Sequence, residues 1–329
     1  MDKLNQKLLN ELEREGFQKA ALLSSKTGIG ERTLQRRIRH MRQKGIIKVV
    51  ALPNPVLLGY RGWATLGVKV KPEALYDVAR WLIEYPATYF VAYTIGQFDI
   101  MTDVFFDSID RLMCFVNSEL MAVKGITSVE TIPFVWPRKY YRFSWSTPFS
   151  GKNGNSKPDQ TGYGFGDTCA LDETDRNIIS ILQHDGLTRP VHMKAKLGIV
   201  ESTIHRRVKN MLNKRLFSIE VVPNPEVLQD NVWAMLGIRI NHQFAHNLID
   251  KIIKNPAVYF AALSLGRFNL IICARFHNTD LLNEFLKVEL ASIKGITSIE
   301  PFLYSRLLKY HNVDWSYLLK PINTTGRKE

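Results

Sequence analysis

The chain has 329 residues, a net charge of +13, a hydrophobic fraction of 45% and three cysteines. Such a length exceeds one small core and fits two to four modules, while the basic balance favours polyanionic partners. No run of 18 apolar residues and no N-terminal signal pattern is present. A membrane span is therefore not expected. Cys114, Cys169 and Cys273 are odd in number and scattered, which argues against a disulfide framework and for a reducing, cytoplasmic setting.

Residues 2 to 14 read as a helix with Leu4, Leu8, Leu9 and Leu12 inward, stopped by Gly16. A short second helix over 18 to 26 puts Ala21 and Leu22 inside. The turn Thr27-Gly28-Ile29-Gly30 follows, as a helix-turn-helix motif requires. The next helix places Leu34, Ile38 and Met41 on one stripe and Arg32, Arg36, Arg39 and Gln43 opposite. Between residues 28 and 48 stand seven Lys or Arg against one acid, Glu31, and Gly45 supplies the helix stop. A solvated helix face is the plain alternative for such a run. Residues 46 to 52 read as a β-rich hinge ending at Pro53-Asn54-Pro55.

A second module follows. A strand over 63 to 70 alternates, with Ala64, Leu66, Val68 and Val70 on one face. A helix over 73 to 84 turns Leu75, Val78, Ala79 and Leu82 inward. Strands run over 89 to 94 and 98 to 106. A helix over 108 to 122 turns Ile109, Leu112, Met113, Val116 and Leu120 inward, and a last strand covers 126 to 135. The order β-α-β-β-α-β is ferredoxin-like, with both helices on one face of the sheet. The bare face needs a partner, and a second such sheet packed face to face as a β-sandwich would supply it.

Residues 147 to 168 hold five glycines and two prolines and read as a flexible linker. Beyond it the chain repeats itself at an offset of 170. Gly28-Ile29 meets Gly198-Ile199, Arg36-Arg37 meets Arg206-Arg207, and Pro53-Asn54-Pro55 meets Pro223-Asn224-Pro225. Lys124-Gly125-Ile126-Thr127-Ser128 meets Lys294-Gly295-Ile296-Thr297-Ser298, and Trp145-Ser146 meets Trp315-Ser316. This is a tandem duplication.

The expected fold class is α+β, two copies of a winged-helix-like helix-turn-helix domain followed by a ferredoxin-like βαββαβ domain. The expected boundaries are 1–50 for the first head, 51–62 for a hinge, 63–146 for the first ferredoxin-like domain and 147–168 for the linker. The second copy runs 169–220, 221–232 and 233–318, with a tail over 319–329.

This arrangement resembles the Lrp/AsnC family of leucine-responsive, or feast/famine, transcription regulators. The resemblance rests on Arg36-Arg37-Ile38-Arg39-His40-Met41-Arg42-Gln43-Lys44-Gly45-Ile46-Ile47, on Ile95-Gly96-Gln97-Phe98-Asp99, and on Val123-Lys124-Gly125-Ile126-Thr127-Ser128-Val129-Glu130. It covers nearly the whole chain, once per repeat. It implies that the second domain is of the RAM type, which mediates dimerisation and often binds an amino acid or related effector. Three departures stand out. Gly30 and Val200 replace the usual serine cap, Asp99 becomes Asn269, and two copies share one chain.

Double-stranded DNA is the expected partner. The candidate contacts are Arg32, Thr33, Gln35, Arg36, Arg37 and Arg39 in the first head, and Ser202, Thr203, His205, Arg206, Arg207 and Lys209 in the second. For Arg37 and Arg207 the alternative is pairing with acids inside their own module. Candidate effector contacts are Gly96, Gln97, Phe98 and Asp99, with Gly266, Arg267, Phe268 and Asn269. Glycine lets a ligand approach and a carboxylate takes an ammonium; the alternative is a tight turn in which Asp caps its own backbone. His242 and His246 sit four apart but lack a third ligand, so no metal site is expected. No catalytic pattern and no cofactor motif stand out. An intramolecular pseudo-dimer, open to further self-association, is expected. The alternative activity is that of a sirohaem decarboxylase. That branch resembles this two-domain build, occurs as fused pairs, and carries His and Arg in the loop equivalent to 95–99, where this chain has no His.

Overall fold

The computed structural model describes residues 4, 5, 8, 20–140, 169–224, 232–241, 245–255 and 257–310. Of the helix expected over 2–14, Leu4, Asn5 and Leu8 are described; they are helical, and Leu8 is fully buried while Leu4, expected inward, is 44% exposed. The linker, the tail and His242 lie outside the described residues, as does the side chain of His246.

The first head contains α1 (Ala20–Thr27) and α2 (Glu31–Gln43). Gly28 turns the corner between them at φ 71° and its N–H donates to the Ser24 carbonyl at 2.9 Å. The Thr27 hydroxyl closes the same corner, donating to the Leu23 carbonyl at 2.7 Å and accepting from the Ile29 N–H at 3.2 Å. Leu34, Ile38 and Met41 are buried as their spacing predicts. Gly45, at φ 65°, ends α2. The Ile46 N–H reaches back to the Met41 carbonyl at 2.9 Å, which satisfies a carbonyl the helix leaves unpaired.

The second head repeats this with α5 (Glu173–His184), α6 (Pro190–Leu197) and α7 (Glu201–Asn213). Between the heads, the first repeat continues through β1 (Ile47–Pro53), β2 (Gly62–Val70), α3 (Leu75–Glu84), β3 (Thr88–Ile95), β4 (Ile100–Phe106), α4 (Ile109–Cys114) and β5 (Ile126–Tyr140). The second comprises α5 (Glu173–His184), α6 (Pro190–Leu197), α7 (Glu201–Asn213), β6 (Phe217–Pro223), β7 (Val232–Ile240), α8 (Ala245–Ile252), β8 (Val258–Ser264), β9 (Leu270–Phe276), α9 (Thr279–Glu284) and β10 (Ile296–Tyr310).

The two hinge strands pair with each other. β1 and β6 run antiparallel, and Val50 faces Glu220, its own counterpart in the other repeat. A local two-fold axis therefore passes between the heads.

The expected face-to-face sandwich closes into a barrel instead, in the order β10-β3-β4-β2-β5-β8-β9-β7. The reason is the length of β5 and β10. The first part of β5 pairs with β2, and its last residues pair with β8 of the other repeat, Phe134 facing Ser264. β10 does the same with β7 and β3, Tyr304 facing Thr94. Each repeat thus covers the open edge of the other, which removes the free edges of both sheets. The helix-free faces become the barrel interior, filled by Trp63, Phe105, Phe134, Trp233, Phe260 and Phe302. The helices pack outside on Ala64, Leu66 and Val68, and on their second-repeat counterparts.

One helix face departs from its expected stripe. Ile109 is 62% exposed and Met113 45% exposed, whereas Phe115 is fully buried. Residues Phe115–Leu120 wind as a π-turn, whose wider course carries Phe115 under the sheet against Phe106 at 5.0 Å.

Candidate nucleic-acid interface and effector loops

Each recognition helix is held by its buried stripe and presents a row to solvent. On α2 the side chains of Arg32, Gln35, Arg36 and Arg39 are exposed, and Thr33 is half-buried. On α7 Ser202, His205, Arg206 and Lys209 are exposed, and Thr203 is half-buried. These ten residues share the outer faces of the two helices. Arg37 and Arg207 do not join them. The Arg37 Nη1 donates to Asn5 Oδ1 at 2.8 Å. The Arg207 Nη1 donates to Asp172 Oδ2 at 2.6 Å and Asp175 Oδ1 at 2.9 Å. Both arginines brace the recognition helix against the helix that opens its head. Asp172 also caps α5 by accepting from the Asp175 N–H, and that bond, with Arg207, holds its carboxyl below the usual range. The N-termini of α2 and α7 carry no side-chain cap, as Gly30 and Val200 dictate.

The effector loops take a different shape from the one expected. Phe98 and Phe268 are buried in the barrel, stacked on or edged against Phe302 at 5.6 and 5.9 Å. Gly67 and Gly237 make room for them: a Cβ there would stand 2.5 and 2.6 Å from the rings. Asp99 is occupied too. Its Oδ2 accepts from the Val70 N–H at 2.8 Å and its Oδ1 lies 3.5 Å from Lys69 Nζ. Asn269 does the same work, accepting from the Ile240 N–H at 3.0 Å. The exchange of Asp for Asn is therefore explained by a backbone cap that either side chain can supply.

What the loops leave exposed meets across the two-fold axis. Arg267 Nη1 donates to Gln97 Oε1 at 2.5 Å, a pair separated by the repeat length of 170 residues. The same guanidinium lies 3.2 Å from Glu130 Oε2, and its Nη2 donates to Glu300 Oε1 at 2.6 Å. Glu130 and Glu300 are likewise counterparts. These two carboxylates were missed in the sequence, although their shared position beside the Gly-Ile-Thr-Ser run in both repeats was available as a signal. Gly96 and Gly266, at φ 128° and 101°, form the tips.

Among the described residues no group of three metal-ligating side chains occurs, and no helix is long and apolar enough to cross a membrane.

The Lrp/AsnC ligand-binding domain matches residues 64–139 and again 233–314. The AsnC-type helix-turn-helix domain matches 171–212, and a winged helix-turn-helix DNA-binding domain matches 1–48. The HTH-type transcriptional regulator FL11 of Pyrococcus furiosus is 30% identical over 142 residues, which is 43% of this chain and 91% of that regulator. A second HTH-type regulator of that organism, described as uncharacterized, is 31% identical over 132 residues, 40% of this chain and 89% of its own. Each alignment is about the length of one repeat. Among solved structures, the siroheme decarboxylase NirDL covers 97% of this chain and 97% of its own at a TM-score of 0.58 and 15% identity. Its complex with an iron-uroporphyrin III analogue reaches a TM-score of 0.60. That likeness is one of fold.

Proposed function

The chain belongs to the Lrp/AsnC family of DNA-binding transcription regulators, and from that premise we propose that it reads paired half-sites on double-stranded DNA with both heads and performs no catalysis. The observation that carries this reading is the pair of outer rows. Each recognition helix spends one arginine on its own head and leaves its outer row open to solvent. The bases are met by the N-terminal half, through Arg32, Thr33, Gln35 and Arg36 and through Ser202, Thr203, His205 and Arg206. Arg39 and Lys209 hold phosphates. Arg37 and Arg207 are positioning residues here.

An amino-acid effector fits the two-fold axis rather than Asp99. Arg267 offers a guanidinium to a carboxylate, and Glu130 and Glu300 offer carboxylates to an ammonium, all within one loop cluster. The barrel shared by both repeats and the paired hinge strands support a regulator working as an intramolecular pseudo-dimer, and its setting in this reading is the cytoplasm. Siroheme decarboxylation is the second reading, favoured by the likeness of fold along the whole chain. Against it stand loops without histidine.

The test is retention of a genomic fragment pool at physiological salt, comparing the native protein with Arg36→Ala combined with Arg206→Ala. Enrichment of a paired motif with half-sites about one helical turn or a multiple apart, lost in the variant, is the expected result. Retention without a motif reduces the activity to electrostatics. A haem-type absorbance band in the purified protein would support the second reading.

A further inference from the structure

A cavity of about 880 Å³ lies where the first head, the hinge sheet and the barrel meet. β10 reaches both places, with Glu300 in the loop cluster and Lys309 at the cavity, but the other lining residues belong to elements that the loop cluster does not use. One wall is the end of α2, with Arg39, Arg42 and Gln43. The floor is β1 with Val222 of β6. The opposite wall is the α3–β3 turn, and the second repeat contributes His184 of α5 and Lys309 and Tyr310 of β10. The size suits a small organic ligand larger than an amino acid.

The charges in it do not balance. Arg39, Arg42, Lys48 and Lys309 are cations, and His184 stands beside them. Two carboxylates face them: Glu84 on the wall, and Asp185, 2.8 Å from Arg42 Nη2. Lys309 is fixed by the Ile83 and Tyr85 carbonyls and the Thr88 hydroxyl at 2.8, 3.3 and 3.0 Å, so its charge is held in place at 9% exposure. Among the described residues neither Arg39 nor Lys48 has an ion-pair partner. The floor beside Lys48, by contrast, is apolar: Val50 and Val222 lie on its face of the hinge sheet, each at 7% exposure. A site with several fixed cations at one side and an apolar floor fits an organic polyanion with a flat apolar body.

We propose that this cavity binds a phosphorylated metabolite of nucleotide size, its phosphates on Arg39, Arg42 and Lys48 and its base on the hinge sheet. Arg39 also belongs to the outer row of α2, so a ligand that engages it competes with a DNA phosphate. Binding of the metabolite therefore weakens DNA retention, and by linkage DNA weakens the metabolite. That competition rests on the regulator reading above; the binding itself does not.

The repeat supplies the variant. Arg42 and Lys48 correspond to Leu212 and Ser218, residues that the same fold carries at the same places. Calorimetric titration of the full chain with ADP is expected to show one site. Adenosine, inorganic pyrophosphate and citrate are each expected to bind at least tenfold more weakly. Arg42→Leu combined with Lys48→Ser should weaken ADP at least tenfold while the thermal melt stays near that of the native protein. Absence of ADP binding, equal binding of pyrophosphate or citrate, or ADP binding unchanged in the variant would overturn the site. Should the variant melt early, Lys48→Ser alone is read instead, with the same direction expected. Saturating ADP should lower retention of the enriched DNA at least threefold, and unchanged retention would overturn the competition. A protein that binds ADP here yet enriches no DNA motif keeps the site and loses the regulator reading.

Discussion

In the first repeat the barrel interior holds Thr65, Tyr89 and Asp103; at the corresponding places the second holds Met235, Tyr259 and Cys273. The strands that carry them pair in the same register, since Thr65 faces Asp103 as Met235 faces Cys273. One half of the interior has thus kept a carboxyl, bound by the hydroxyls of Thr65 and Tyr89, where the other is satisfied by a thiol and a thioether. Duplication relaxes the demand on each copy. Closing the barrel requires matched backbones and filled volume, and side-chain polarity is free to diverge wherever a local partner exists. A similar divergence occurs outside the barrel. Glu119 is buried against its ionisation, but Tyr85 and Arg111 hold its carboxyl below the ordinary range. Its counterpart Glu289 has Asn255 as a partner, and there burial pushes the carboxyl up.

The largest effect expected from this comparison is at Asp103. Burial raises its carboxyl to about 6 from 3.8, with the Thr65 and Tyr89 hydrogen bonds pulling the other way. A carboxyl whose pKa is higher folded than unfolded favours the fold most at low pH. Its contribution is complete below about 4 and is lost as pH rises through 6. About two pKa units correspond to roughly 3 kcal/mol as a ceiling. Asp103→Asn removes the titration while keeping the shape. The barrel should then gain up to about 3 kcal/mol at pH 7.5 and almost nothing at pH 4. Urea unfolding followed by tryptophan fluorescence at both pH values checks this. An unchanged difference between the two pH values would sink it, and would mean that the two halves of the interior are electrostatically alike.

The heads sharpen the comparison next. Both recognition helices pack an apolar stripe, with Val208 half-buried in the second, and brace one arginine, but the first is the more basic: Arg39, Arg42 and Lys48 become Lys209, Leu212 and Ser218. If both heads dock, Arg36→Ala and Arg206→Ala should each weaken binding of the enriched DNA about ten- to a hundredfold, each relaxing a different half-site. If the first head alone reads sequence, Arg206→Ala should change affinity uniformly across sequences and lower the salt slope by about one. Quantitative binding to paired-motif variants at two salt concentrations separates these outcomes.

Much of the architecture was legible because it is written in periodicity. The stripe Leu34, Ile38, Met41 and the alternation from Ala64 to Val70 follow from local burial, and the internal repeat doubled each signal. What could not be read depends on partners distant in sequence. The strand over 126 to 135 continues to Tyr140 because β8 of the other repeat waits for it, and no local pattern announces that edge. Phe98 looked like a loop residue open to ligand, and its burial follows from the space above Gly67 on another strand. Asp99 was open to two readings, a ligand carboxylate or a cap on its own turn. The backbone it caps is Val70 on another strand, as Asn269 caps Ile240, and the tolerance of Asn at the same place was the clue to a capping role. The pairing of Gln97 with Arg267 needs the two-fold axis, which exists in the closed barrel and not in either repeat alone.

The smallest effect concerns the end of the recognition helices. Gly45 ends α2 at φ 65°, and Arg215 ends α7 at φ 57° with the same backbone bond, the Leu216 N–H to the Met211 carbonyl at 3.0 Å. A side chain in the left-handed region costs about 1 kcal/mol or somewhat more, against the entropy glycine loses on folding. Arg215→Gly should therefore stabilise the second head by about 0.5–1 kcal/mol, and Gly45→Arg should destabilise the first by at least as much. Hydrogen exchange of the amides of α2 and α7 reads each head separately, which a global melt of this barrel-dominated chain would not. Equal protection in the native protein, left unchanged by Arg215→Gly, would show that the strain is absorbed elsewhere. Slower exchange in α7 alone would locate the difference between the heads at one backbone angle. The weaker cap would then belong to the less basic of the two helices, the one expected to hold DNA less firmly.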